Sequence, residues 1–68
     1  MTIKIELNGE ARSIAKGHSL HDLIESLELT GQALAVAVNR QIVSRQMWQQ
    51  RVLQPDDRVD IVRAIGGG

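Results

Sequence analysis

Thr2-Ile3-Lys4-Ile5-Glu6-Leu7-Asn8-Gly9 is the stretch that decides the fold. Ile3, Ile5 and Leu7 alternate with Thr2, Lys4 and Glu6, the period-two signature of a strand with one buried face. Asn8-Gly9 is the favoured pair for a two-residue hairpin turn, because both central residues must take positive φ. A second strand is therefore expected to return through Ala11 to Ile14, with Arg12 and Ser13 interrupting its apolar pattern.

Downstream of the hairpin, Gly17 breaks the strand and the period changes. Ser19 is a good N-cap, and Asp22 stands three residues on, where the acid of a capping box belongs. Leu20, Leu23, Ile24 and Leu27 fall at i, i+3, i+4 and i+7, one apolar stripe of a helix expected to end at Thr30-Gly31. His21, Asp22, Glu25, Ser26 and Glu28 take its wet side. Ala33 to Val38 is continuously apolar, with Leu34, Val36 and Val38 on one face and Ala33, Ala35 and Ala37 on the other. Apolar residues on both faces indicate an interior strand, or one whose outer face meets a partner.

Asn39-Arg40 turns the chain, Ile42-Val43 reads as a short strand, and Ser44 to Gln50 as a short helical excursion. Pro55-Asp56-Asp57 is a turn. In a last strand Val59 and Ile61 face one way and Asp60 and Val62 the other, leading into Gly66-Gly67-Gly68. The order ββαβββ gives an α+β fold, one helix against one mixed sheet. Parallel pairing of the first and last strands would cover the N-terminal one.

Composition narrows the function. A chain of 68 residues builds one small core, worth roughly 3–5 kcal/mol, with no room for a large internal pocket. It has no cysteine, so disulfides, thiol nucleophiles and thiolate metal sites are excluded. Met1 to Leu7, alternating and carrying Lys4 and Glu6, does not resemble a signal peptide, and no apolar run nears the roughly 18 residues of a membrane span, so a cytoplasmic protein is expected. Eight basic and eight acidic side chains balance, with residues 1–34 at net −2 and residues 35–68 at net +2. That dipole can orient an encounter, but it is no basic stripe for nucleic acid. Trp48, the single aromatic, offers no platform for stacking bases.

Candidate chemistry is sparse. His18 and His21 flank the helix start without a third ligand nearby and read as surface residues, so no metal site is expected. Asp56, Asp57 and Asp60 straddle a turn and an outer strand face, where turn aspartates serve backbone hydrogen bonding. Trp48 and Met47 read as a cap on the core, and Arg45 and Arg63 as surface cations. Arg63, three residues before the glycines, is the better candidate for a contact near the C-terminal end.

The glycine run remains. Glycine loses the most conformational freedom on ordering and buries no side chain, so Gly66 to Gly68 do not help the fold. Extended, Ile65 to Gly68 would reach on the order of 13 Å from the body. A carboxylate is a poor electrophile until activated. As an acyl-adenylate it gains a good leaving group, and a sulfur nucleophile can then displace AMP to give a thiocarboxylate. Slim glycines would let such a tail thread to a nucleotide.

These features together resemble the sulfur carrier proteins of thiamine thiazole biosynthesis, a ubiquitin-like β-grasp family. The resemblance spans the chain and rests on Gly17-His18-Ser19-Leu20-His21-Asp22-Leu23-Ile24, Ala35-Val36-Ala37-Val38-Asn39, Ile42-Val43-Ser44-Arg45-Gln46-Met47-Trp48 and the Gly67-Gly68 end. Ser44 stands where that family often has proline, and Gly66 is additional to the minimal glycine pair. The resemblance implies a β-grasp domain over residues 1–65 and a flexible tail over 66–68. It implies that the Gly68 carboxylate is adenylated by an E1-like adenylyltransferase using ATP, with no cofactor held permanently by the carrier itself. Sulfur would come from a persulfide donor protein, and thiazole synthase would consume the thiocarboxylate. Gly66, Gly67, Ile65, Arg63 and Val62 would contact partners, with Ala35, Ala37 and Val62 on the partner-facing side of the sheet, and the free carrier would be a monomer. The small subunit of molybdopterin synthase shares fold and tail but tends to be longer and richer in phenylalanine, and this chain has none. A β-grasp binding module with an inert tail is the alternative of a different class.

Overall fold

The computed structural model describes residues 1–63, so the expectations placed on Ile65, Gly66, Gly67 and Gly68 lie outside the described residues. Strands β1 (Thr2–Leu7) and β2 (Glu10–Ala15) pair antiparallel from Thr2↔Ala15 to Leu7↔Glu10. The hairpin turn is the expected one, with φ of 49° at Asn8 and 85° at Gly9. β2 is one residue longer at each end than Ala11–Ile14. Only Ile14 within it is buried, so the ladder to β1, rather than its own apolar pattern, holds it in place.

Helix α1 (Leu20–Ser26) starts with the capping box: Asp22 N donates to Ser19 Oγ across 3.1 Å, and Ser19 N donates to Asp22 Oδ2 across 3.0 Å. The other free amides of its first turn find loop carbonyls, Leu20 N on Arg51 O at 2.7 Å and His21 N on Trp48 O at 3.1 Å. α1 stops well short of Thr30-Gly31. Glu28 takes the left-handed conformation, φ 60°, and the end is a Schellman motif, with Leu29 N on Ile24 O at 3.2 Å and Glu28 N on Glu25 O at 2.9 Å. The early stop lets Leu29 turn back onto the core beside Leu27.

β3 (Leu34–Val38), β4 (Gln41–Ile42) and β5 (Arg58–Arg63) complete a five-stranded sheet in the order β2-β1-β5-β3-β4. β1 and β5 run parallel through Glu6↔Arg58 and Leu7↔Val59, as the sequence suggested. β3 is interior, between β5 and β4, and both of those pairings are antiparallel. β4 sits one residue earlier than Ile42-Val43, although Val43 N still bonds Val36 O at 2.9 Å.

The expected excursion over Ser44–Gln50 is a single 3₁₀ turn, Arg45–Met47. It drops Trp48 into the core, 2% exposed, with its indole Nε1 donating to Val43 O at 3.0 Å. Met47 remains 47% exposed and caps nothing, because a 3₁₀ turn places neighbouring side chains on different sides. Ile5, Ile14, Leu20, Leu23, Ile24, Val36, Val38, Trp48, Leu53 and Val59 form the one core, between α1 and the inner sheet face. Among the described residues, no helix is long and apolar enough to cross a membrane.

Candidate functional site

β5 is a central strand, and its far end leads into residues 64–68. Two asparagines, both in the left-handed conformation that asparagine tolerates better than most residues, fix it along its length. At the start, Asn39 (φ 52°) accepts Arg58 N on Oδ1 at 2.9 Å and donates its own N–H to Arg58 O at 2.7 Å. Further along, Asn8 N donates to Val59 O at 2.9 Å, and Asn8 Oδ1 accepts Ile61 N at 2.9 Å.

Asp57 holds the turn before β5. It is buried, accepts Gln54 N at 2.8 Å and Asn39 Nδ2 at 3.0 Å, and lies 3.6 Å from Arg51. The turn aspartates thus divide: Asp57 bonds backbone as expected, exposed Asp56 carries a φ of 69°, and Asp60 lies 3.7 Å from Arg58. Arg58 also meets Glu6 at 3.4 Å, on the outer face of the sheet.

Val62 and Arg63 do not share a face. Val62, 63% exposed, stands on the outer face in register with Ala35. Arg63 pairs with Leu34 on the opposite face, where its Nη1 donates to Gln32 Oε1 at 3.3 Å. The β3–β4 register sets Ile42, 78% exposed, opposite Ala37. Val62, Ala35, Ala37 and Ile42 therefore make a continuous apolar strip across β5, β3 and β4, beside the Glu6–Arg58–Asp60 charges. Ile42 joins this strip only through its register with Ala37, which no local pattern in the sequence shows. Isolated exposed apolar residues are ordinary, whereas contiguous ones make a candidate for an interaction surface.

Arg45 is not a free surface cation. Its Nη2 donates to Thr30 O at 2.6 Å and Gln32 O at 3.0 Å, and its guanidinium lies 5.1 Å from the centre of the Trp48 ring. It ties the loop after α1 to the 3₁₀ turn, a cation–π contact that explains an arginine three residues before the tryptophan. His18 and His21 flank the capping box, and among the described residues no three His, Cys, Asp or Glu side chains gather to hold a metal ion. The hydrogen bond from Ser19 N, chiefly, holds the Asp22 carboxyl below its ordinary range, and the two histidines add to the effect.

A scan against protein-family models matches residues 5–68 to one described as the ThiS family. The chain belongs to the ThiS family. Over 66 residues it is 35% identical to the sulfur carrier protein ThiS of Escherichia coli K12, covering 97% of this chain and all of that protein. It is 39% identical over 66 residues to part of a thiazole synthase of Magnetococcus marinus, matching 97% of this chain but 20% of that longer protein. Its fold superposes on the crystal structure of a thiamine biosynthesis protein (ThiS) from Geobacter metallireducens with a TM-score of 0.83, at 19% identity, over 97% of this chain and all of the other. That likeness establishes the mixed β-grasp sheet on one helix.

Proposed function

We propose that this ThiS-family protein is a sulfur carrier of thiamine biosynthesis, a substrate of other enzymes rather than a catalyst. The observation that carries this reading is the match over the entire length of the E. coli sulfur carrier. The central placement of β5, anchored on both sides and directed into residues 64–68, supports it as the base of a presented tail.

In this reading residues 1–65 are the folded body and residues 66–68 the tail. An E1-like adenylyltransferase transfers AMP from ATP to the Gly68 carboxylate, releasing pyrophosphate. The terminal sulfur of a donor protein's persulfide displaces AMP to give an acyl disulfide. A second thiol cleaves its S–S bond, forming a disulfide with the donor and releasing the thiocarboxylate. Gly66 and Gly67 supply slimness, and Ile65 and Arg63 meet the enzyme at the tail's root. The strip of Val62, Ala35, Ala37 and Ile42 is the docking face. The match of the whole chain to part of a longer thiazole synthase supports thiazole synthase as the consumer of the sulfur.

Intact-mass measurement tests the reading. Incubated with the adenylyltransferase, ATP and a sulfur donor, the protein is expected to gain the mass of one oxygen-to-sulfur exchange. An unchanged mass, with an established carrier reacting in parallel, refutes it.

A further inference from the structure

We infer that Asn8 is a positioning residue for the tail, acting through β5 and resting on the carrier reading above. β1 ends at Leu7, and from there its chain turns away at Asn8-Gly9. β5 runs on to Arg63, so its side facing β1 loses its neighbour at Val59, the last registered pair. Asn8 extends the ladder beyond that point with its side chain. Its main-chain N–H takes Val59 O, and its Oδ1 occupies the place of the next strand carbonyl, accepting Ile61 N at 2.9 Å. Among the described residues this is the last tie on the β1 side of β5, two residues before Arg63.

The bond spans 53 positions in sequence and is exposed, so the two ends of the chain are joined at the surface rather than in the core. Losing it leaves the hydrophobic core untouched, since Ile5, Val36 and Val59 are buried without it. It would, however, let β5 lift from the sheet on one side beyond Val59. Val62 and Arg63 would then take a range of orientations, and only a fraction of molecules would present the residues that follow productively. Apparent affinity for the adenylating enzyme falls by that fraction.

Two variants separate this from a turn effect. Asn8→Gly suits the positive φ at least as well as asparagine but removes the acceptor. Asn8→Asp keeps an acceptor in the same place. Amide exchange at Ile61 is expected to quicken about tenfold in Asn8→Gly, with the melting transition little changed. In pyrophosphate-release assays with the adenylyltransferase and ATP, KM for the Asn8→Gly carrier rises about fivefold or more with kcat retained. Asn8→Asp restores both readouts. Unchanged Ile61 exchange in Asn8→Gly, or faster exchange with KM within twofold of wild type, overturns the proposal. If the wild-type protein releases no pyrophosphate, the carrier reading fails instead, and the Ile61 exchange alone decides whether Asn8 holds β5.

Discussion

Asn39 Nδ2 donates to Asp57 Oδ1 across 3.0 Å, so the turn that ends β3 and the turn that begins β5 are joined through their side chains. The same carboxylate accepts Gln54 N, and burial keeps water from replacing it. Asp57→Ala leaves both donors without an acceptor and is expected to cost about 2–3 kcal/mol. That is most of the stability of so small a domain, roughly 3–5 kcal/mol. Asp57→Asn keeps one acceptor oxygen and should cost less. Urea denaturation of the two variants checks the order, and equal midpoints would contradict it.

The helix cap gives a pH dependence of known sign. The Asp22 carboxyl is held below its ordinary value of 3.8, first by the hydrogen bond from Ser19 N. Its charged form is favoured in the folded state, so its contribution is complete above the unfolded value. It is lost as pH falls from there through the lower folded value. Asp22→Asn should therefore destabilise at neutral pH, and the gap from wild type should close below about pH 4. Thermal melts at pH 7 and at pH 3 measure it, and a constant gap would show that the charge plays no part.

Glu28 carries the left-handed conformation at the end of α1, a position that glycine fills without steric cost. Glu28→Gly should stabilise by up to about 1 kcal/mol, offset in part by the greater freedom of the unfolded chain. A chemical denaturation midpoint that moves down rather than up would refute strain at this site.

The outer strip makes a prediction that separates binding from folding. Val62→Asp and Ile42→Asp place charge on exposed positions and should change stability by no more than about 0.5 kcal/mol. If the strip docks the adenylyltransferase, each should raise KM for the carrier about tenfold, a loss near 1.4 kcal/mol. Unchanged KM in both would remove the strip from the interface.

Local chemistry was legible in the sequence where one short segment contains all of its cause. The Asn8-Gly9 turn and the Ser19/Asp22 box each need no more than four consecutive residues, and both form as read. Tertiary demands moved the rest. α1 ends early because Leu29 must return to the core, and Ser44–Gln50 tightens to one 3₁₀ turn because Trp48 must enter it. At the candidate site, the side-chain bonds from Asn8 to Ile61 and from Asn39 to Arg58 join distant parts of the chain, so no local window shows them. The same holds for Ile42, whose place on the strip depends on pairing with Ala37.

The parallel pairing of β1 and β5 in the middle of the sheet has a mechanical consequence. A partner that grips residues 64–68 and pulls along the strand axis loads β5 in shear. The hydrogen bonds to β1 and β3 lie across that direction and must yield together rather than open one after another like a zipper. A pull on residues 64–68 would thus be met by these bonds acting together, and the body would keep its shape under a load that would peel an edge strand away.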